Sequence, residues 1–221
     1  MLDFPLPGKP LIVIISFFIV RAIITHMEPQ TFVFFGIVGS GKGTQVKLLQ
    51  GFLKSKGNQE IVYTSTGEEY RKLIAGESYA GSLVKDSLTR GELQPDFLTT
   101  SLFTNILLST LTPQKHLIAD GYPRTIRQSE SFEKMMKFFR RENVKIIYIE
   151  LGKEEAMKRN LLRGRHDDTE EGLKKRFEEY EDNVIPSMNY FKGKPGYTLY
   201  TINGEQSVEK VHEDIIKALG Y

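Results

Sequence analysis

The strongest constraint on the fold is a glycine-rich turn between an apolar run at 31–35 and an amphipathic helix pattern at 42–54. Glycines let backbone N–H groups point at an anion, and a helix N-terminus adds partial positive charge. The spacing Gly36-x4-Gly41-Lys42 fits the P-loop, whose lysine reaches nucleotide phosphates. A glycine-rich turn beside a chance lysine is the alternative, but the flanking strand and helix patterns disfavour it. We therefore predict a nucleotide-phosphate site.

Composition limits the remaining possibilities. A chain of 221 residues with 40% hydrophobic and 26% charged residues is long enough for one domain with a full core. A net charge of +2 gives no indication of nucleic-acid binding. The absence of cysteine excludes disulfides and thiolate chemistry, and the four histidines lack metal-ligand spacing. We expect no metal site built from protein ligands alone.

The first 26 residues differ in character from the rest. Their apolar run at 11–20 is shorter than the roughly 20 residues that span a bilayer, and no small-residue cleavage site follows. We expect 1–26 to be a dispensable N-terminal extension without membrane contact, and 27–221 to be the functional domain. A membrane-touching anchor is the alternative, which full activity after truncation at Met27 would exclude.

Strand and helix patterns alternate along the chain. Short apolar runs predict strands at 32–35, 61–64, 116–120, 145–151 and 197–203. Helices are predicted at 68–75, 79–89, 97–111, 126–143, 153–163, 169–191 (bent before Pro186) and 207–219. The helix after the P-loop should bury Val46, Leu49 and Leu53 and end at Gly57. The predicted fold class is α/β, a P-loop doubly wound five-stranded parallel sheet.

The third predicted strand ends in an acidic residue, Asp120, followed by a glycine, a proline and Arg124. An Asp at the carboxyl end of a core strand beside a P-loop is suited to orienting Mg²⁺ or its waters. The alternative is a strand-end Asp that caps the next turn. Arg124 follows a constrained turn, from which a guanidinium can bind phosphate oxygens in a bidentate manner.

A second basic group contains Arg159, Arg163, Arg165 and Arg176. Arg159 and Arg163 are four residues apart on one helix face, where like charges are destabilising unless an anion lies between them. A solvated basic face is the alternative interpretation. We expect the adjacent pair at 167–168, Asp-Asp, to hold arginines in register, because nothing there favours an acid/base role. Phosphoryl transfer needs positioning and charge screening more than a general base.

Taken together, six motifs resemble those of the nucleoside monophosphate kinases, and most closely the adenylate kinase family, over residues 30–220. They are GSGKGTQ at 39–45, STG at 65–67 with Arg71, GELQPD at 91–96, DGYPRTIRQ at 120–128, RGRHDD at 163–168, and Arg176. The six occur in the family's order, which makes the resemblance specific. It implies that 65–94 form a small helical acceptor-binding insertion and that 163–168 form a vestigial lid.

The resemblance also assigns residues to sites. ATP would be bound by Gly39, Ser40, Gly41, Lys42, Gly43, Thr44, Arg163 and the backbone of Gln206. AMP would be bound by Thr66, Arg71, Glu92, Leu93, Gln94, Gly121, Tyr122, Pro123, Arg124, Gln128, Arg165 and Arg176. The catalytic groups would be Lys42, Arg124, Arg163, Arg165 and Arg176. Thr44 and Asp120 would hold Mg²⁺, through water.

The expected activity is reversible, Mg²⁺-dependent transfer of the ATP γ-phosphoryl group to AMP, giving two ADP. Thr66 and Gln128 resemble the adenylate-type acceptor pocket; a UMP/CMP kinase and a non-catalytic P-loop nucleotide sensor are the alternatives. The chain departs from the family at Ile37-Val38, which replaces a proline-containing turn and leaves the turn less pre-set, and in its short lid. A short lid predicts extra ATP hydrolysis without AMP. We expect a cytoplasmic monomer.

Overall fold

A computed structural model of the chain describes residues 28–164 and 169–221. These residues form a five-stranded, entirely parallel sheet with the strand order β2-β3-β1-β4-β5. The strands are β1 (Thr31–Phe35), β2 (Ile61–Ser65), β3 (His116–Asp120), β4 (Val144–Glu150) and β5 (Tyr197–Asn203). The predicted α/β fold with a five-stranded parallel sheet is therefore confirmed.

Helices connect the strands. They are α1 (Lys42–Lys56), α2 (Thr66–Ala75), α3 (Tyr79–Thr89), α4 (Asp96–Thr110), α5 (Ile126–Phe138), α6 (Lys153–Arg163), α7 (Glu170–Glu179), α8 (Ile185–Asn189) and α9 (Val208–Ala218). The extension predicted at 1–26 lies outside the described residues. So do 165–168, which include Arg165 and the aspartates of the predicted lid.

The central strand β1 is buried on both faces, which is the property expected of a strand in a doubly wound sheet. Its residues Val33 and Phe35 pack into one cluster together with apolar residues of α4 and α5. Phe32 and Phe34 face the opposite layer, where α1 and α9 lie. Burying a side chain of this size contributes roughly 1.5–3 kcal/mol, so β1 anchors both layers.

Helix α1 follows the predicted pattern. Val46, Leu49 and Leu53 are all buried in the layer that α1 shares with α9. The helix ends at Lys56, and the N–H of Gly57 donates to the carbonyl of Leu53. The predicted buried face and end of this helix are confirmed.

Two helices differ from the sequence-based boundaries. Helix α5 ends at Phe138 instead of reaching 143, because Arg140 and Asn143 adopt left-handed backbone angles (φ 53° and 55°) that interrupt a helix. The long helix predicted at 169–191 is divided into α7 and α8 by a π-helical turn, Tyr180–Val184. That turn ends two residues before Pro186, which lacks the N–H a regular helix needs. The helix is thus interrupted at the predicted position, and the bend predicted there stays a prediction.

The register of the sheet places the motifs at one edge. Asp120 of β3 lies opposite Phe34 of β1 on one side and Ser65 of β2 on the other. The turns that follow these three strands therefore meet at the carboxyl edge, where ligands bind in open parallel α/β sheets.

Candidate active site

The turn between β1 and α1 has the backbone geometry of a phosphate cradle. Gly39 and Gly41 both adopt left-handed backbone angles (φ 89° and 88°), and Gly41 caps α1. The Lys42 ammonium folds back over the turn and donates to the carbonyls of Gly36 (2.6 Å) and Ile37 (3.1 Å). Ser40 Oγ is buried and has no hydrogen-bond partner among the described residues. The turn thus holds a cation and a polar group available to a ligand.

The electrostatics of Lys42 show which distant residues meet at this turn. Burial lowers the pKa of the Lys42 ammonium to about 8, against the opposing effect of the Asp120 carboxylate. Arg124 and Arg163 lower the pKa further, because each places a positive charge near the ammonium. Residues from three separate segments of the sequence therefore interact at one point, as expected for a site that binds polyanions.

The predicted acceptor side is built around Gly121 and Arg124. Thr66 Oγ1 donates to the Gly121 carbonyl (3.0 Å) and accepts from Arg124 Nη2 (3.1 Å). Arg124 Nε donates to the same carbonyl (2.8 Å), so the guanidinium is held by two contacts. A Cβ on Gly121 would lie 2.5 Å from Thr66 Oγ1, which explains the glycine at this position. Arg124 is thereby held at a position from which its charge acts on Lys42.

The Gln128 side chain has a defined orientation. It is 2% exposed; its Oε1 accepts from the Arg124 backbone N–H (2.8 Å), and its Nε2 donates to Asp96 Oδ1 (2.9 Å). The same Asp96 oxygen accepts from the Thr125 hydroxyl (2.8 Å). A carboxylate only accepts hydrogen bonds, so Asp96 determines which end of the amide faces it. One N–H and one lone pair of the Gln128 amide are left for a ligand.

The other residues predicted to bind the acceptor lie in several parts of the fold. Tyr122 is buried and stacks on Phe103 (4.2 Å between ring centroids), and a cis peptide bond joins it to Pro123. Burial raises the pKa of the Tyr122 hydroxyl to about 12. Arg71 is exposed, with its guanidinium beside Gly67 at the start of α2. Leu93 is partly buried.

Helices α2 and α3 lie in the range predicted as the acceptor-binding insertion, and α7 contacts the end of that range. Arg176 Nη2 donates to the Leu88 carbonyl (3.4 Å) of α3. A Cβ on Gly91 would lie 2.4 Å from the Gly172 carbonyl oxygen of α7. Two neighbouring residues that were predicted to bind AMP have partners within the protein. Glu92 pairs with Arg90 (2.8 Å), and Gln94 is buried against Ser87 Oγ.

On the predicted ATP side, α6 contributes two arginines. Arg163 Nη2 donates to Asn160 Oδ1 (2.7 Å). Arg159 Nε donates to Glu155 (2.7 Å) and its Nη1 to the Gly204 carbonyl (3.0 Å). Glu155 thus offsets part of the charge of Arg159 and lowers its repulsion with Arg163, while a bound anion between the two arginines stays a prediction.

Gln206 lies in the turn after β5. Its side chain donates to the Asn203 carbonyl (3.1 Å) and to Asp214 (2.9 Å), two contacts that hold the turn before α9. Sequence reasoning missed Asn160, Asp96 and Glu155. The sequence offered one signal for Asn160. Its amide side chain follows Ala156 by four residues, so both residues lie on the same face of α6.

The residues at the carboxyl edge fit a magnesium ion bound with its substrate. Asp120 lies close enough to Lys42 to affect its pKa, and Thr44 is exposed in the first turn of α1. Among residues 28–164 and 169–221, no three His, Cys, Asp or Glu residues are grouped so that they could hold a metal. The described protein atoms can thus supply one or two oxygen ligands, and Mg²⁺ commonly takes the rest from phosphates and water.

A P-loop lysine whose charge interacts with Asp120, Arg124 and Arg163 fits the class of P-loop nucleoside monophosphate kinases. A family model described as adenylate kinase matches residues 34–195. The chain is 31% identical to the adenylate kinase of Thermosipho melanesiensis, over 85% of this chain and 98% of the relative. It is 34% identical to those of Prochlorococcus marinus (82% and 94%) and Parabacteroides distasonis (85% and 96%).

The chain belongs to the adenylate kinase family. It is accordingly an ATP-binding kinase, as the motifs predicted. In the part of the chain that the structure describes, no helix is both long enough and apolar enough to cross a bilayer.

Proposed function

We propose that this enzyme transfers the γ-phosphoryl group of MgATP to AMP, reversibly, and so forms two ADP. The observation that carries the proposal is that Arg124, which Thr66 holds by a hydrogen bond, acts with its charge on Lys42 of the phosphate turn. Two anions bound by Lys42 and by Arg124 would lie next to each other. One phosphoanhydride forms as another breaks, so the equilibrium should lie near unity.

The protein's part in this reaction is to align the phosphates and balance their charge. Lys42 and the N–H groups of the glycine turn bind the donor phosphates, while Arg124 binds the acceptor phosphate. Arg163, and in the same way Arg165 and Arg176, would neutralise charge on the transferring group. Bound Mg²⁺, held through Asp120 and Thr44, would supply further positive charge at the β and γ phosphates.

The orientation of Gln128 supports adenine as the acceptor base. With Oε1 turned to Arg124 and Nε2 to Asp96, the amide offers one acceptor and one donor to a base. Adenine presents an amino donor beside a ring acceptor, which complements that pair. Cytosine has the same polarity on a smaller ring, whereas uracil has the reverse polarity. We expect the order AMP, then CMP, then UMP, because discrimination by buried polar groups is large.

An ADP-forming assay with AMP, CMP and UMP tests this proposal. Lys42→Met, which removes the ammonium from the phosphate turn, should lower kcat by roughly 10²–10³-fold. Preference for UMP would overturn the acceptor assignment, and binding of ATP and AMP without ADP formation would indicate a nucleotide sensor. Omitting AMP from the same assay measures the ATP hydrolysis expected from a short lid at 163–168.

A further inference from the structure

Asn160 of α6 is a completely buried amide that connects the phosphate turn to an arginine. Its side chain is 0% exposed. Nδ2 donates to the Val38 carbonyl in the turn (2.9 Å) and to the Ala156 carbonyl (2.7 Å), and Oδ1 accepts from Arg163 Nη2 (2.7 Å). Both amide hydrogens and the amide oxygen are thus used.

The contact between Asn160 and the turn determines the direction of one peptide. In a trans peptide the C=O and the following N–H point in opposite directions. Because the Val38 carbonyl points at Asn160, the N–H of Gly39 points away from α6. The fit is close: a Cβ on Gly39 would lie 2.4 Å from Asn160 Nδ2. Asn160 therefore stabilises a turn that has Ile37-Val38 where the family has a proline.

The other half of the amide acts on Arg163. This arginine is the last residue of α6, and its charge reaches Lys42. A long exposed side chain loses conformational entropy when it binds a ligand, and a fixed hydrogen bond reduces that loss in advance. One buried side chain thus orients a backbone donor and a guanidinium toward the same anion.

We propose that Asn160 is a positioning residue for ATP, which holds the Gly39 N–H and Arg163 in register. The proposal rests on the assignment of the turn and of Arg163 to ATP. Within the described residues it is the only side chain with hydrogen bonds to both the turn carbonyl of Val38 and Arg163. Its effect should appear as coupling: without Asn160, Arg163 should contribute much less to ATP binding.

A double-mutant cycle on the full-length protein tests the proposal. Binding of a non-hydrolysable ATP analogue is measured for the wild type, Asn160→Leu, Arg163→Ala and the double variant. Asn160→Leu should weaken binding about tenfold, with KM for AMP changed less than twofold. Arg163→Ala should weaken the wild type strongly but the Asn160→Leu protein by less than threefold. Equal effects of Arg163→Ala in both backgrounds would overturn the proposal.

Two further variants separate positioning from general stability. Asn160→Asp keeps an oxygen for Arg163 but has no donor for Val38, so it should weaken analogue binding while Arg163→Ala still has its full effect in that background. Loss of that effect would contradict the division of roles between the two halves of the amide.

Arg141→Met removes a buried side chain that donates to Thr112 and Lys115 at the opposite edge of the sheet. It should lower Tm without changing analogue binding; a matching loss of binding would mean that Asn160 acts only through stability.

The test remains informative if the proposed reaction is wrong. Analogue binding needs no phosphoryl transfer, so the Asn160–Arg163 coupling would appear in a sensor as well. If the protein forms ADP but shows no coupling, the proposed function stands and only the proposed role of Asn160 is wrong.

Discussion

At the scale of single residues, the charge of Lys42 should determine how ATP affinity depends on pH. Burial lowers the pKa of this ammonium to about 8, with Asp120, Arg124 and Arg163 as its charged neighbours. As pH rises through 8, the free enzyme loses the charge. Affinity for a non-hydrolysable ATP analogue should therefore fall above pH 8, toward about tenfold per pH unit, as for any ligand that requires one protonated group.

Calorimetry can test the same linkage directly. Bound phosphates favour the charged ammonium, so at pH 8 binding should take up a fraction of a proton from the buffer. Titrations in two buffers with different ionisation heats measure that uptake. Lys42→Arg provides the control, because a guanidinium keeps its charge throughout this range. Proton uptake by the wild type that is no larger than that of Lys42→Arg would show that Lys42 is already fully charged in the free enzyme.

At the scale of elements, the contact between the insertion and α7 depends on two glycines. Gly91 has a left-handed angle (φ 77°), and a Cβ there would lie 2.4 Å from the carbonyl oxygen of Gly172. Gly91→Ala should therefore push the end of the insertion away from α7 and weaken the contact of Arg176 with Leu88. We expect KM for AMP to rise severalfold and KM for ATP to change little, as measured by steady-state kinetics.

A second glycine gives a matched control for that prediction. Gly193, in the loop before β5, has nearly the same angle (φ 76°), but a Cβ there would meet nothing within 4 Å. Gly193→Ala should cost about 1–2 kcal/mol of stability from backbone strain alone and leave both KM values unchanged. If both alanine variants behave alike, strain and not the Gly91–Gly172 contact accounts for the result.

The element scale also shows what the sequence could predict. The spacing of hydrophobic residues located all five strands and the buried face of α1, because this spacing reflects directly which side chains are buried. The early end of α5 was missed, since Arg140 and Asn143 carry no glycine or proline signal for their left-handed angles. Motif spacing indicated Lys42, Asp120 and Arg124 together, whereas Asn160 and Asp96 gain their roles only when α6 meets the turn and α4 meets α5.

At the scale of the whole molecule, the proposed binding residues occupy the carboxyl edge of the sheet and a buried histidine lies at the amino edge. His116, at the start of β3, is 1% exposed, and its Nδ1 accepts from the Gln30 backbone N–H (3.0 Å). Burial lowers the pKa of this imidazole, and the positive charges of Arg141 and Lys145 lower it further. Protonation would both bury a charge and break the hydrogen bond to Gln30.

The depressed pKa of His116 makes global stability fall in acid. Because the unfolded chain takes up the proton at its ordinary pKa of about 6.5, the contribution of neutral His116 is complete above that pH. It is then lost as pH falls from 6.5 toward the folded-state pKa, at up to about 1.4 kcal/mol per unit. Urea unfolding at pH 7.5, 6.5 and 5.5 measures this slope.

His116→Asn places a non-titrating amide oxygen near the position of Nδ1, so the slope of this variant should be shallower than that of the wild type. His212→Asn removes another histidine whose pKa burial lowers, and provides the comparison. Equal slopes for the wild type and His116→Asn would mean that the amino edge of the sheet tolerates the charged imidazole.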